Sequence, residues 1–410
     1  MKQIAVIGGG ASGMIAAIAA HGKNAKVTLF ESSDRVGQKI LVTGNGKCNF
    51  TNEYIGKDCY NGSDSEFIMN ALNRFGRDKL VDFFRNLGMF ATVKRGGYYP
   101  YSGQASTVLD CLRNELSFKG INVRTNASVK CISNTGDGYV LEITEEGKNK
   151  KASYYDDVII SIGSVAGVRG AKVDRHYSLL SDLNLKINPV VPALVQLTCK
   201  EDYIKALSGV RFDGTVILCK NDKVLATESG EIQLTDYGIS GIPTFQLSRI
   251  AAYELLEGGE LTAFLDFLPD ISKEELIQIL LFRQVKNTEQ TAEEYFLGIT
   301  NKKVEMLVLK LLGIKPSSNA CLINDKVKTA FAELLKGFKL HINGTKGYEN
   351  AQICAGGVDL SEITENFELV NHPGIYVTGE ALDVDGRCGG YNLQWAFASG
   401  YIAGSHAGSN

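Results

Sequence analysis

The chain has 410 residues, too many for one ordinary hydrophobic core, so two or three domains are expected. It is 44% hydrophobic and 22% charged, the balance of a soluble globular protein. A net charge of −3 without a basic stripe argues against a nucleic-acid partner, and no run of about 18 apolar residues is present to cross a membrane.

The first predicted element is a buried strand, Ile4-Ala5-Val6-Ile7. Gly8, Gly10 and Gly13 follow it in G-x-G-x-x-G spacing, and a small-residue helix continues from Met14 to Ala20. Gly8 permits the tight turn, Gly10 lets a pyrophosphate approach the backbone, and Gly13 lets helix and strand pack closely. The phosphate charge then meets unsatisfied N–H groups at the helix N-terminus. This use of residues 4–20 is preferred to the secretory signal they superficially resemble. The second strand, Lys26 to Phe30, ends in Glu31, 18 residues after Gly13. A carboxylate there accepts hydrogen bonds from ribose hydroxyls and repels a 2′-phosphate, which disfavours NADP at this turn.

Residues 37–52 read as a polar, glycine-studded loop of the kind that serves turns or ligands. A helical pattern runs from Ser65 to Leu87, and another from Thr107 to Phe118 after a Gly/Tyr stretch. Residues 121–146 read as strands, and a further buried strand from Asp157 ends at Gly163. The first 165 or so residues therefore predict an α/β sheet with a β-meander insert. Residues 193–250 alternate like an antiparallel β unit, 272–335 are helical, and 338–353 return to strand. Near the end, strand Ile375–Thr378 runs into Gly379-Glu380, and a loop reaches Gly389-Gly390 ahead of a helix over 391–402. This second strand–glycine–helix element predicts one nucleotide-binding domain built from both chain ends and interrupted by an insertion.

Nine scattered cysteines without C-x-x-C predict reduced thiols and a cytoplasmic setting. The five histidines show no metal-ligand spacing, so no metal is expected, and His341 and His372 read as structural. Cys48 and Cys388 are either a redox pair or, preferably, small residues packed beside a ligand.

Five stretches resemble a bacterial family of NAD(P)/FAD-dependent oxidoreductases that includes aminoacetone-oxidase-like and BaiN-like 3-dehydro-bile-acid Δ4,6-reductase proteins. They are GGGASG from residue 8, TGNGKCNFTN from 43, GEIQLTDYGISGIPTFQLS from 230, AGGVDLSEI from 355 and GEALDVDGRCGGYNLQWAFASG from 379. The resemblance implies a Rossmann-like FAD domain (1–190 and 354–410), a β-barrel-like domain (191–253 and 336–353) and a helical lid (254–335). It implies FAD as the resident cofactor. The pyrophosphate would lie on Gly8, Gly10, Ala11, Ser12 and Gly13, and the ribose on Glu31. Lys39 and the loop Thr43, Gly44, Asn45, Gly46, Lys47, Cys48 and Asn49 would lie on the flavin side, with Val129 offering its backbone to adenine. Gly163, Gly379, Glu380, Asp383, Gly389, Gly390, Tyr391, Asn392 and Leu393 complete the implied cofactor set. One stretch departs from the family: SIGSVAGVRG at 161–170 stands where a T-G-G-x-S-x-P-type loop is usual.

A second G-x-G-x-x-G is missing, so NAD(P)H either visits the flavin as a transient electron donor or the substrate itself is the reductant. Tyr98, Tyr99, Tyr101 and Tyr391 are candidate proton donors or substrate walls, with core or rim packing as the plainer reading. Arg387 either clamps a substrate carbonyl or carboxylate or is an exposed loop arginine. Tyr99, Tyr391 and Arg387 are carried forward as the catalytic set. The favoured reaction is NAD(P)H-linked reduction of a small conjugated enone. The alternatives are an FAD-dependent amine oxidase or dehydrogenase and, in another class, a flavin-binding nucleic-acid-associated protein. No membrane partner is expected, and the sequence sets no oligomeric state.

Overall fold

The computed structural model describes residues 1–145, 149–221 and 223–409. They divide into two compact units: Met1–Val191 with Gln352–Asn410, and Pro192–Ala351.

The first unit is built on a six-stranded sheet ordered Glu368–Leu369, His372–Val377, Asp157–Ile160, Lys2–Ile7, Ala25–Phe30 and Asn122–Arg124. All neighbours are parallel except the short Glu368–Leu369 edge. The central strands are apolar on both faces, as a parallel sheet covered by helices requires: all four residues of Asp157–Ile160 are buried. Strands from both chain ends thus lie side by side, with Ile7 opposite Ile160 and Ile160 opposite Val377.

The first helix, Ala11–Ala20, packs against the final helix, Tyr391–Ser409, along a stripe of small residues. A Cβ added to Gly400, Gly404 or Gly408 would fall 2.3, 2.3 and 2.4 Å from the backbone oxygens of Ser12, Ala16 and Ala20. Both series rise along the chain in steps of four, so the helices are parallel and their backbones touch. Gly400 is level with Ser12, so the final helix, starting at Tyr391, leads the first by eight residues, and its N-terminus stands about 12 Å beyond that of the first helix at 1.5 Å per residue.

Around this pair the single helix expected over 65–87 is two, Ser65–Arg74 and Arg77–Asn86. Gly76 is the break, since its backbone lies so close to Leu72 O that a Cβ would come within 2.7 Å. Asp64 starts the first of them by accepting from the N–H groups of Glu66 and Phe67. The meander forms from Ala127–Asn134, Tyr139–Glu145 and Asn149–Tyr155; its third strand lies beyond the 121–146 stretch read as strand, and Asn122–Arg124 joins the parallel sheet instead.

The second unit is a closed six-stranded barrel in the order Leu197–Cys199, Gly238–Gly241, Lys223–Leu234, Arg211–Lys220, Leu261–Asp266 and Phe338–Thr345. Two expectations change here. Residues 242–250, read as strand, open the helix Ile242–Leu256, which carries Pro243 in its first turn and buries Leu247 and Ala251 one turn apart. The helical segments Lys273–Phe282, Ala292–Phe296, Lys302–Leu311 and Asp325–Lys336 are not a third body. Their Leu276, Leu280, Phe296 and Phe331 share one core with barrel residues Val216, Leu218 and Leu265, and the Leu261–Asp266 strand inside the expected lid belongs to the barrel. A separate lid would have to bury those side chains twice.

Gly404→Val forces a side chain into Ala16 O and is expected to cost about 3 kcal/mol or more in urea unfolding, the upper range for overpacking. Gly22→Ala, where a Cβ meets nothing within 4 Å, serves as the control. It should stay within about 0.5 kcal/mol of the parent.

Candidate functional site

At the first turn the three motif glycines separate into two kinds. Gly8 has φ +104, and a Cβ there would lie 2.3 Å from Ser161 O. A Cβ on Gly13 would lie 1.9 Å from Gly8 O. Protein packing requires both. Gly10 has an ordinary extended backbone (φ −77, ψ −169), and a Cβ there would meet nothing within 4 Å. No protein contact explains a glycine at this position; a backbone approached closely by a ligand does. The leading N–H groups at Ala11, Ser12 and Gly13 have no intrahelical acceptor, and no acid sits in the first turn, so the cradle suits an anion. The site therefore fits a dinucleotide pyrophosphate.

Glu31 has a second task. Its Oε2 accepts from Gly9 N at 2.8 Å, and its Oε1 accepts from Ser33 N at 2.8 Å and Ser33 Oγ at 2.7 Å. Most of its acceptor capacity is spent on the glycine turn, so the carboxylate first shapes the cradle expected to hold the ribose beside it. The meander strand carrying Val129 is anchored at the same residue, with Ala127 N donating to Glu31 O at 2.9 Å. Val129 itself is buried in that strand.

Behind the cradle, Ser12 Oγ donates to Thr378 Oγ1 at 2.6 Å, and Ser161 Oγ shares a 2.7 Å hydrogen bond with the same oxygen. All three residues are buried, and together they pin the first helix to two other strand ends. The next residue, Gly379, donates to Ser399 Oγ at 2.9 Å and accepts from Trp395 Nε1 at 3.1 Å, which ties that turn to the final helix.

Glu380 is the hub of the neighbouring cluster. It accepts from Ser164 Oγ at 2.6 Å, Cys354 N at 2.8 Å and Lys39 Nζ at 2.8 Å. Lys39 and Glu380, both implied as cofactor contacts, are thus partners of each other. His176 Nε2 meets Gly163 O at 3.1 Å, and burial lowers its pKa, so the imidazole is neutral at neutral pH and donates from Nε2. Asp383 accepts from Asn188 Nδ2 at 2.8 Å, an amide it shares with Asp359.

The flavin-side loop begins with a short helix, Gln38–Val42, within the stretch read as a polar, glycine-studded loop. Gly44, Asn45, Gly46 and Cys48 then all take left-handed φ, between +53 and +78. Asn45 and Lys47 are exposed, while Thr43 donates its hydroxyl back to Ile40 O. Asn49 is wedged between two glycines: a Cβ on Gly97 would lie 2.6 Å from Nδ2, and one on Gly390 would lie 2.7 Å from Oδ1. That Oδ1 is buried with no hydrogen-bond partner among the described residues. An orphaned acceptor beside the N-terminus of the final helix is the second mark of a ligand site.

The start of the final helix is fixed from three sides. Asn52 Nδ2 donates to Gly389 O at 2.9 Å; Asn392 exchanges two 2.8 Å bonds with the backbone of Gly386; Gln394 bridges Thr51 Oγ1 (2.7 Å) and Phe75 O (2.9 Å). Leu393 packs against the core. Tyr391 departs from its expected part as proton donor. Its ring lies edge-on to Tyr60 at 5.7 Å, and the phenol's pKa is held up by burial and by its hydrogen bond with Cys59. A ring packed against Tyr60 with its hydroxyl engaged by Cys59 fits the packing reading of this residue. Tyr99 and Arg387 are half-buried. The ring of Tyr99 borders Gly44, and Arg387 N donates to Cys59 O at 3.0 Å. Among the described residues no three His, Cys, Asp or Glu side chains are arranged to hold a metal, and no helix is long and apolar enough to cross a membrane.

The family described as the HI0933-like protein Rossmann domain matches residues 2–406. This chain belongs to that family. It is 40% identical over 411 residues to the 3-dehydro-bile acid delta(4,6)-reductase of Clostridium scindens, covering 99% of each protein. It is 26% identical to the ribosomal RNA dihydrouridine synthase of Escherichia coli K12, covering 97% of this chain and 95% of the relative. In fold it resembles 3-ketosteroid delta1-dehydrogenase from Sterolibacterium denitrificans, with a TM-score of 0.53, 11% identity and full coverage of both chains. It also resembles the 3-ketosteroid-delta4-(5alpha)-dehydrogenase of Rhodococcus jostii RHA1, with a TM-score of 0.51, 13% identity and coverage of 100% and 97%.

In this HI0933-like chain, the residues that sequence reasoning missed are those joining distant segments: Thr378, Ser161, Ser164, His176 and Gln394. The four-residue glycine spacing at 400, 404 and 408 was a readable sign of the helix contact; the hydroxyl and amide bridges had none.

Cys48 and Cys354 are buried, and burial pushes their thiols up to about 11 and about 12. The thiolate is the reactive form, so both should resist iodoacetamide in the native protein at pH 8 while exposed Cys321 is alkylated, as read by peptide mass mapping. Labelling of Cys48 as fast as Cys321 would restore a redox role.

Proposed function

We propose that this chain is an FAD-dependent oxidoreductase that saturates a carbon–carbon double bond conjugated to a ketone, on a small organic substrate. The 40% identity to the bile-acid reductase across 99% of both chains carries this reading. The geometry supports it independently. Two parallel helices from opposite chain ends present acid-free N-termini offset by about 12 Å, which suits a cofactor with a pyrophosphate at one place and a polar-edged ring at another.

In this reading Gly10 to Gly13 hold the pyrophosphate, on a turn kept in shape by Glu31. The Thr43–Asn49 loop and Gly389 to Leu393 take the ring side, with Asn49 Oδ1 available to accept a hydrogen bond. FAD, when bound, supplies the two-electron chemistry. The protein's part is to orient the enone and deliver one proton. Arg387 is the cation suited to a ketone oxygen, and Tyr99, whose ring borders the loop at Gly44, carries the hydroxyl proposed to hold the proton. Tyr391 is left out of this set for the reason given above. NAD(P)H is the proposed electron donor, and the free cysteines support a cytoplasmic setting.

A second reading follows from the dihydrouridine synthase relatives, because a uracil ring also carries a carbon–carbon double bond conjugated to a carbonyl. The lower identity and the net charge of −3 favour the small molecule.

Gly10→Val should leave the fold intact, since the position has open space and permitted φ. It should weaken FAD binding at least about 100-fold, equivalent to ~2.7 kcal/mol. Flavin absorbance per mole of purified protein reads the effect, and full retention contradicts the cradle. With dithionite-reduced parent protein under anaerobic conditions, a 4-ene-3-ketone steroid should restore the oxidised flavin spectrum. Bleaching by an amine, with peroxide formed in air and no response to the enone, would transfer the assignment to an amine oxidase.

A further inference from the structure

The segment that departs from the family pattern, 161–170, opens a closed loop that runs on to His176. His176 Nε2 donates to Gly163 O at 3.1 Å and draws together the ends of residues 163–176, an Ω-loop by size. Successive turns shape its interior, with Val168 N donating to Val165 O and Ala171 N to Val168 O. Its base is fastened at the candidate site, where Ser164 Oγ reaches Glu380 and Glu380 holds Lys39. Arg169 and Lys172 stand in its middle and Arg175 on the short helix Val173–His176 at its closing end, and all three are exposed. Among the described residues none of the three has an ion pair or a side-chain hydrogen bond, and the acid nearest them in sequence is Asp174. Elsewhere in the same unit, Arg77, Arg85, Arg113 and Arg124 each have a carboxylate partner.

We propose that this loop docks the 2′-phosphate of NADPH, with Arg169, Lys172 and Arg175 as its ligands. The inference rests on the enone-reductase reading, which needs two electrons from outside. The first turn is closed to a phosphorylated ribose because the Glu31 carboxylate lines it. A second G-x-G-x-x-G is absent from the sequence, which leaves exposed side chains as the donor's proposed ligands. Three cations within seven residues answer the extra phosphate that distinguishes NADPH from NADH, and guanidinium groups bind phosphate in a two-pronged geometry. In the net reaction NADPH gives up two electrons and one proton and leaves as NADP⁺. The enone takes these together with one proton from water and leaves as the saturated ketone.

The test compares the FAD-loaded parent with the triple variant R169A/K172A/R175A. Isothermal titration calorimetry with adenosine 2′,5′-diphosphate and with 5′-AMP reads binding without turnover. The parent should prefer the 2′-phosphorylated probe, and the variant should lose tenfold or more of that affinity. The KM for NADPH should rise in parallel, with the KM for NADH and the flavin content little changed. A parent with no preference between the probes, or a variant that binds both like the parent, overturns the proposal. So does a variant that loses affinity for a ribosomal RNA fragment but keeps adenosine 2′,5′-diphosphate. Enone reduction by dithionite-reduced enzyme is measured alongside. If it is absent while the probe affinity still falls, the enone reading fails and the phosphate site stands.

Discussion

Backbone contact between the first and last helices is the constraint on which the rest of the molecule turns. Gly400, Gly404 and Gly408 bring the final helix within touching distance of Ser12, Ala16 and Ala20. Larger side chains on that face would separate the two axes. The register of this contact fixes both ends of the chain against one sheet and sets how far one helix N-terminus leads the other. A 160-residue excursion, Pro192–Ala351, can then fold as its own barrel-centred unit without disturbing the arrangement. The hydroxyl chain through Thr378 and the indole and hydroxyl bonds to Gly379 lock the same junction with directional contacts.

Carboxylates at the site work mainly on the protein itself. Glu31 shapes the glycine turn, and Glu380 gathers Ser164, Cys354 and Lys39. Each accepts from at least three donors, so each holds backbone in place at little cost in unpaired charge. The two helix N-termini are left free of acids, where a negative or electron-rich ligand is stabilised by the partial positive charge. Preorganisation of this kind means the cradle is shaped before any ligand arrives.

Much of this was legible in sequence because glycine spacing encodes backbone geometry directly. The strand–glycine–helix opening, the parallel sheet and the pairing of chain ends all follow from short-range patterns. What was hidden depends on partners far apart in the chain. Glu31 stands at the expected strand end, yet its bond to Gly9 is visible only in three dimensions. Tyr391 lies in the right motif, but the direction of its ring is set by Tyr60 and Cys59. The helix Ile242–Leu256 was misread because its apolar residues also fit an alternating pattern; Pro243 in its first turn was the overlooked signal. The third domain failed for a related reason. Amphipathic helices reveal that a face is buried, not what buries it, and here barrel residues do so.

The central claim is that opposite ends of this chain hold one FAD between two helix N-termini. A crystal structure of the protein grown with FAD tests it most directly. The account predicts the pyrophosphate against Gly10 to Gly13 and the isoalloxazine ring against Asn49 and Gly389 to Leu393. Density for the dinucleotide at any other place, or a ring lying away from the final helix, would contradict it.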